Sequence, residues 1–139
     1  MKTSAGILIV YNDKILLCHP TNASWKETFS PPKGLIDENE DLIDGAIREC
    51  KEEVGISINR DQIGDRFIVP YKKGRNLYKK VFLYKVKIDS LSEVGLDTEV
   101  LDKSKLQLEE VDWAGFVQKS ELDEKIFWRF KGILSEVFN

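Results

Sequence analysis

Apolar positions in this chain follow two different spacings. Ala5 to Tyr11 is an apolar, β-branched run, Lys14 to Cys18 repeats it, and Asn12-Asp13 between them is a turn signal. That predicts a hairpin, and the unbroken character of Ile7–Val10 predicts a first strand covered on both faces. Thr21 to Lys33 is a polar loop that carries Trp25 and Phe29 and closes on Pro31-Pro32, which force extended backbone into Lys33-Gly34. The spacing then turns helical from about Asp41 to Val54, where Ile43, Ala46, Ile47, Cys50 and Val54 form one narrow stripe ended by a glycine cap at Gly55. Phe67 to Tyr71 and Leu77 to Ile88 read as strands joined by a basic turn, Lys72 to Asn76. The acidic stretch Leu91 to Leu101 reads as a surface connection, and Val111 to Val117 as a last strand. Ser120 is placed to cap a final helix that packs Leu122, Ile126, Phe127, Phe130, Ile133, Leu134 and Val137. Strands, a central helix, more strands and a terminal helix predict an α/β fold, a mixed sheet between helices.

Composition narrows the function classes. At 139 residues the chain reads as a single domain, 1–139, long enough for a core. A net charge of −3 argues against a general nucleic-acid coat or a membrane-surface protein. No stretch approaches the roughly 20 apolar residues that span a bilayer, and the apolar run near Met1 is too short for a signal peptide. Cys18 and Cys50 have no paired framework and read as buried thiols in a reducing compartment. The expected location is the cytoplasm, with no membrane partner.

The helix carries a second stripe that needs an explanation. Glu49, Glu52 and Glu53 are spaced i, i+3, i+4, and neighbouring like charges on a helix repel by a few tenths of a kcal/mol each. Gly45 stands one turn before Glu49, the spacing sends Arg48 elsewhere, and Lys51 lies across the apolar stripe, so no cation relieves them. A solvated acidic face is one reading. A bound cation is the other, and all-oxygen ligands suit Mg²⁺ or Mn²⁺.

The longer pattern separates those readings. From Gly34 to Ile56 the chain runs GLIDENEDLIDGAIRECKEEVGI: glycine, five residues, glutamate, seven residues, Arg-Glu, an apolar residue, any residue, Glu-Glu, any residue, glycine, an apolar residue. This resembles the Nudix box of the Nudix hydrolases at every specified position. The resemblance implies the α/β/α sandwich of that family, with the box as a loop–helix–loop against the sheet edge. It implies cleavage of a phosphoanhydride bond in a nucleoside diphosphate linked to a further moiety, with Mg²⁺ or Mn²⁺ as cofactor. By the same resemblance Glu49, Glu52 and Glu53 are metal ligands, joined by the Gly34 carbonyl and by Glu109 or Glu110 from LQLEEVDW. Glu49 or Glu53 orients or deprotonates the attacking water, and Arg48 with Glu40 holds the box carboxylates in place. His19, the only histidine, ends a predicted strand and reads as structural.

Substrate signals lie on either side of the box. FSPPKG resembles the approach loop of the diadenosine tetraphosphate hydrolases, with Phe29 where those have tryptophan and with Lys33 as a phosphate contact. YKKVFLYKV resembles the strand after the box in that branch, which makes Tyr78 and Tyr84 candidates for stacking on adenine. Trp25 and Phe29 read either as a base platform or as anchors to the core. Lys72, Lys73, Arg75, Lys79 and Lys80 form a basic cluster that suits a tetraphosphate bridge or an RNA 5′ triphosphate, or that guards a strand edge. Leu35 departs from close relatives, which often have histidine or glycine after the box glycine. The leading expectation is hydrolysis of dinucleoside polyphosphates by a monomer or homodimer. The alternatives are an RNA 5′-pyrophosphohydrolase or a pyrophosphatase of free or oxidised nucleoside triphosphates. A non-catalytic nucleotide-binding module commonly loses box carboxylates, and this chain keeps them all.

Overall fold

A computed structural model describes residues 1–139. In chain order it holds β1 (Lys2–Tyr11), β2 (Lys14–Pro20), β3 (Lys33–Leu35), α1 (Leu42–Val54), β4 (Arg66–Lys73), β5 (Asn76–Ile88), β6 (Val111–Gln118), α2 (Leu122–Lys125) and α3 (Leu134–Val137). The sheet order is β4-β5-β1-β2-β6, with β3 against β1. β1 and β5 run parallel and the other pairs antiparallel, so the sheet is mixed.

Side-chain alternation along β1 divides the core in two. Ala5, Ile7 and Ile9 face the apolar stripe of α1, while Leu8 and Val10 face the C-terminal turns with Phe130 and Val137. Both faces are covered, as the continuous apolar run predicts, and the architecture is the α/β/α sandwich. α1 begins where Asp41 accepts hydrogen bonds from the backbone N–H of Ile43 and Asp44, a cap worth about 1 kcal/mol. It ends at Gly55, whose φ of 69° is the left-handed cap expected of glycine.

Between β1 and β2 the sheet splits. Those strands pair only beside their turn, at Val10–Ile15 and Tyr11–Lys14. Beyond that point the chain from Ser30 to Leu35 fills the gap: Cys18 N–H donates to the Ser30 carbonyl at 2.7 Å and Ile7 N–H to the Pro32 carbonyl at 3.1 Å. Pro32 has no N–H to offer and joins the sheet through its carbonyl, while Ser30 also donates its N–H back to the Cys18 carbonyl at 3.0 Å. Gly6 is required there, because a Cβ would collide with the Pro32 carbonyl. The pairing continues as β3, a strand absent from the sequence reading.

Two expectations are corrected. The final helix is broken: Ser120 does not cap it, α2 ends at Lys125, and a three-ten turn at Trp128–Ile133 precedes α3. The reason is a backbone tie. Phe29 N–H donates to the Lys125 carbonyl at 2.9 Å and Phe127 N–H to the Phe29 carbonyl at 2.8 Å, bonds a continuous helix would forbid. The apolar positions Leu122, Ile126, Phe130 and Val137 are nevertheless all buried. The second correction concerns Leu91 to Leu101, which is more than a surface connection, because Val94, Leu96 and Leu101 pack into the core beneath α1. No helix is long and apolar enough to cross a membrane.

Candidate active site

The split in the sheet places one face of α1 beside β3 and the loop before β6. The recess they form, about 410 Å³, carries three carboxylates, Glu49 and Glu53 from α1 and Glu110 from the loop. Lys33 and Lys79 supply the opposite charge, and Ser4, Gly34 and Leu35 complete the lining. A Cβ at position 34 would overlap the Glu49 carboxylate and push it aside. The Glu110 loop is tied down on both sides, by Gln107 N–H to the Glu53 carbonyl and Thr21 N–H to the Glu110 carbonyl, both 2.9 Å.

Electrostatics distinguish these acids. Burial raises the Glu53 carboxyl to about 7, helped by the charges of Glu49 and Glu110 and opposed by Lys33, whose backbone N–H donates to Oε1 at 3.2 Å. Burial also raises Glu49, with Arg48 pulling it back. Arg48 is the hub of the box. Its Nε and Nη2 clasp Glu40 at 2.8 and 2.9 Å, Nη2 reaches the Leu35 carbonyl, and Nη1 lies 3.0 Å from Glu49 and 3.1 Å from Glu52. Bonding to Arg48 lowers the Glu40 carboxyl. Arg48 and Glu40 are thus bonded to each other, and Arg48 also to Glu49 and Glu52, a network rather than an isolated surface pair. The spacing argument that no cation relieves the glutamates is corrected: Arg48 Nη1 pairs with Glu49 and, one turn on, with Glu52.

The other candidates sort by position. Glu52 leans on Arg48, is 49 % exposed, and lies outside the recess. Glu109 and Glu110 are both exposed, and of the two only Glu110 lines the recess. Phe29, expected at the substrate, is only 3 % exposed and packs among His19, Trp25 and Trp113, so it has no free face for a base. Tyr84 is 5 % exposed and belongs to the core beneath α1. Trp25 is the reverse: it is 58 % exposed, and its ring lies flat on the buried His19, 3.6 Å between centroids. His19 is structural, bonded to Asp112 at 2.6 Å and to the Ser24 carbonyl at 3.0 Å.

Tyr78 and Lys79 do come together, in a second recess of about 590 Å³ whose remaining walls are Met1, Lys2 and Tyr71. Lys79 lines both recesses, and its Nζ sits 5.0 Å from the Tyr71 ring centre. Arg129 buttresses this wall, 4.7 Å from the Tyr71 ring and in hydrogen-bond contact with the Tyr78 hydroxyl. Sequence reasoning missed Tyr71, Lys2, Ser4 and Arg129. The pairing of β1, β4 and β5 brings Lys2, Ser4 and Tyr71 there, the three-ten turn at Trp128–Ile133 brings Arg129, and no local signal marks them.

No group of three among the His, Cys, Asp and Glu residues is arranged as a finished metal cage. The donor set is right in kind for a hard divalent ion, with carboxylate oxygens from Glu49, Glu53 and Glu110, and beside burial the charge of Glu110 adds to the upward shift of both Glu49 and Glu53.

The family model for the NUDIX domain matches residues 1–127. The chain belongs to the Nudix family. It is a Nudix hydrolase, acting on phosphoanhydride bonds, in a family that generally needs divalent metal ions. No curated protein sequence matches the chain. Among solved structures it is similar to an Ap4A hydrolase binary complex from C. elegans, at 21 % identity over 97 % of this chain and 93 % of that one, TM-score 0.65. A MutT Nudix hydrolase from Burkholderia pseudomallei gives 19 % identity, 98 % and 97 % coverage, and TM-score 0.71. A bifunctional NMN adenylyltransferase/ADP-ribose pyrophosphatase from Francisella tularensis gives 17 %, 99 % and 42 %, and 0.66. At these identities the likeness is one of Nudix fold.

Proposed function

We propose that this Nudix hydrolase cleaves dinucleoside polyphosphates such as diadenosine tetraphosphate, with Mg²⁺ or Mn²⁺ as cofactor. One observation carries the reading: the acidic recess and the tyrosine recess share Lys79, so a single ligand with a phosphate bridge and a base at its end suits both. The fold likeness to an Ap4A hydrolase, nearly end to end on both chains, agrees with it.

In this reading Lys33 and Lys79 bind bridge phosphates, and Tyr78 offers a base its exposed ring, held by Tyr71 and Arg129. Glu49, Glu53 and Glu110 hold the divalent ion, with the Gly34 carbonyl beside them. When bound, the ion neutralises phosphate charge and lowers the pKa of water. Arg48 fixes the direction of the Glu49 carboxylate, and Glu40 fixes Arg48. Glu53, with one oxygen engaged by the Lys33 N–H, takes the proton of the attacking water.

The test is a product-resolved hydrolysis panel in Mg²⁺ covering diadenosine tetraphosphate, 5′-triphosphorylated RNA, ADP-ribose and nucleoside triphosphates. Fastest cleavage of the dinucleotide, giving ATP plus AMP, supports the proposal. Preference for RNA or triphosphates overturns it and leaves the family assignment intact.

A further inference from the structure

Lysines line the passage from the carboxylates to the tyrosines. Lys33 lines the acidic recess, Lys79 lines both recesses, and Lys2 lines the tyrosine recess. The ion pairs of the protein engage Lys14, His19, Arg48, Arg60, Lys125 and Lys131, which leaves Lys2, Lys33 and Lys79 without carboxylate partners. Lys2 and Lys79 are direct partners in the parallel pairing of β1 with β5, so their side chains leave the sheet side by side on the same face. Burial first, and then the charges of Lys33 and Lys2, hold the Lys79 amine below its ordinary range. The sequence Lys33, Lys79, Lys2 therefore runs outward from Glu53 toward Tyr78.

We propose that Lys2 is a specificity-determining residue that reads the length of the phosphate bridge, pairing with the phosphoryl groups furthest from Glu53. The inference rests on the dinucleoside polyphosphate reading above. A long bridge reaches all three lysines. A shorter one satisfies Lys33 and Lys79 and leaves Lys2 without a phosphate, so Lys2 adds affinity selectively for the longer substrates.

The experiment compares wild type, Lys2→Met and Lys2→Arg on diadenosine tri-, tetra- and pentaphosphate in Mg²⁺, with kcat and KM resolved. Lys2 is exposed at the start of β1, so neither substitution disturbs the core. Lys2→Met is expected to shrink the preference in kcat/KM for the tetra- and pentaphosphate over the triphosphate by about tenfold, the scale of one charge-assisted hydrogen bond. The loss falls on KM for the long bridges, the triphosphate loses least, and Lys2→Arg restores the preference. A uniform change across the series, or none, overturns the role of Lys2 and leaves the proposed function standing. Failure of wild type to cleave any of the three overturns the proposed function, and this inference with it.

Discussion

Replacing Glu53 by glutamine separates the acid's part in chemistry from its cost to the fold. Burial, with Glu49 and Glu110 close by, moves its carboxyl from 4.5 to about 7. A displacement of that size is worth about 3 kcal/mol. The folded protein holds this proton more tightly than the unfolded chain, so stability falls as pH rises from about 4.5 through about 7. The full penalty is present by about pH 8, and it has nearly vanished by about pH 4. Glutamine keeps an oxygen for the Lys33 N–H and cannot ionise. In EDTA at pH 8, Glu53→Gln is therefore expected to be more stable than wild type by up to about 3 kcal/mol, a rise in Tm on the order of 10 °C. At pH 4 the two should unfold together. Urea unfolding at both pH values reads the difference, and hydrolysis assays in Mg²⁺ should show most activity lost. Equal stability at pH 8, or the same gain at both pH values, would refute the claim that Glu53 is a buried, unneutralised acid.

Other perturbations probe other parts of the site. Tyr78→Ala should raise KM for an adenine dinucleotide by tenfold or so, since a stacked base is worth roughly 1–3 kcal/mol, with no change in Tm. Tyr84→Ala should do the opposite, costing about 3 kcal/mol of stability in thermal unfolding through the cavity it leaves beneath α1. Gly34→Ala should abolish turnover in the hydrolysis assay while circular dichroism still reports a folded chain, because the added Cβ displaces the Glu49 carboxylate. Arg48→Lys keeps the charge but loses the two-pronged clasp on Glu40; kcat should fall about tenfold or more, with under about 2 kcal/mol lost in urea unfolding.

What could be read from the chain depended on whether the relevant interaction was local. α1 was legible end to end, because its stripe, its Asp41 cap and its Gly55 stop all lie within one short stretch. The Arg48–Glu40 pair was legible too, through the motif that contains both residues. The hold of Arg48 on Glu49 and Glu52 was not, because side-chain direction along a helix is set by rotamers that spacing alone does not specify. β3 escaped notice since three residues carry no pattern of their own, and only the gap between β1 and β2 makes them a strand. The terminal helix was misread for the same reason in reverse: its apolar spacing is real, but backbone bonds to Phe29, about a hundred residues away in sequence, interrupt it. Tyr78 and Tyr84 share one strand, but Tyr84 lies in the core beneath α1, while Tyr78 stands where the β4–β5 register shifts and meets Tyr71 and Arg129 at the surface. Trp25 shows how little burial can be inferred for an aromatic in a loop, as it caps His19 from outside and never enters the core.

The central claim is that Glu49, Glu53 and Glu110 form a divalent-ion centre at the split in the sheet. Titration of the protein with Mn²⁺, followed by electron paramagnetic resonance of the free ion, tests this without any substrate. The account predicts saturable binding to wild type, weakened at least about tenfold in each of Glu49→Gln, Glu53→Gln and Glu110→Gln, the usual scale for losing one carboxylate ligand. Unchanged binding in all three variants would contradict it.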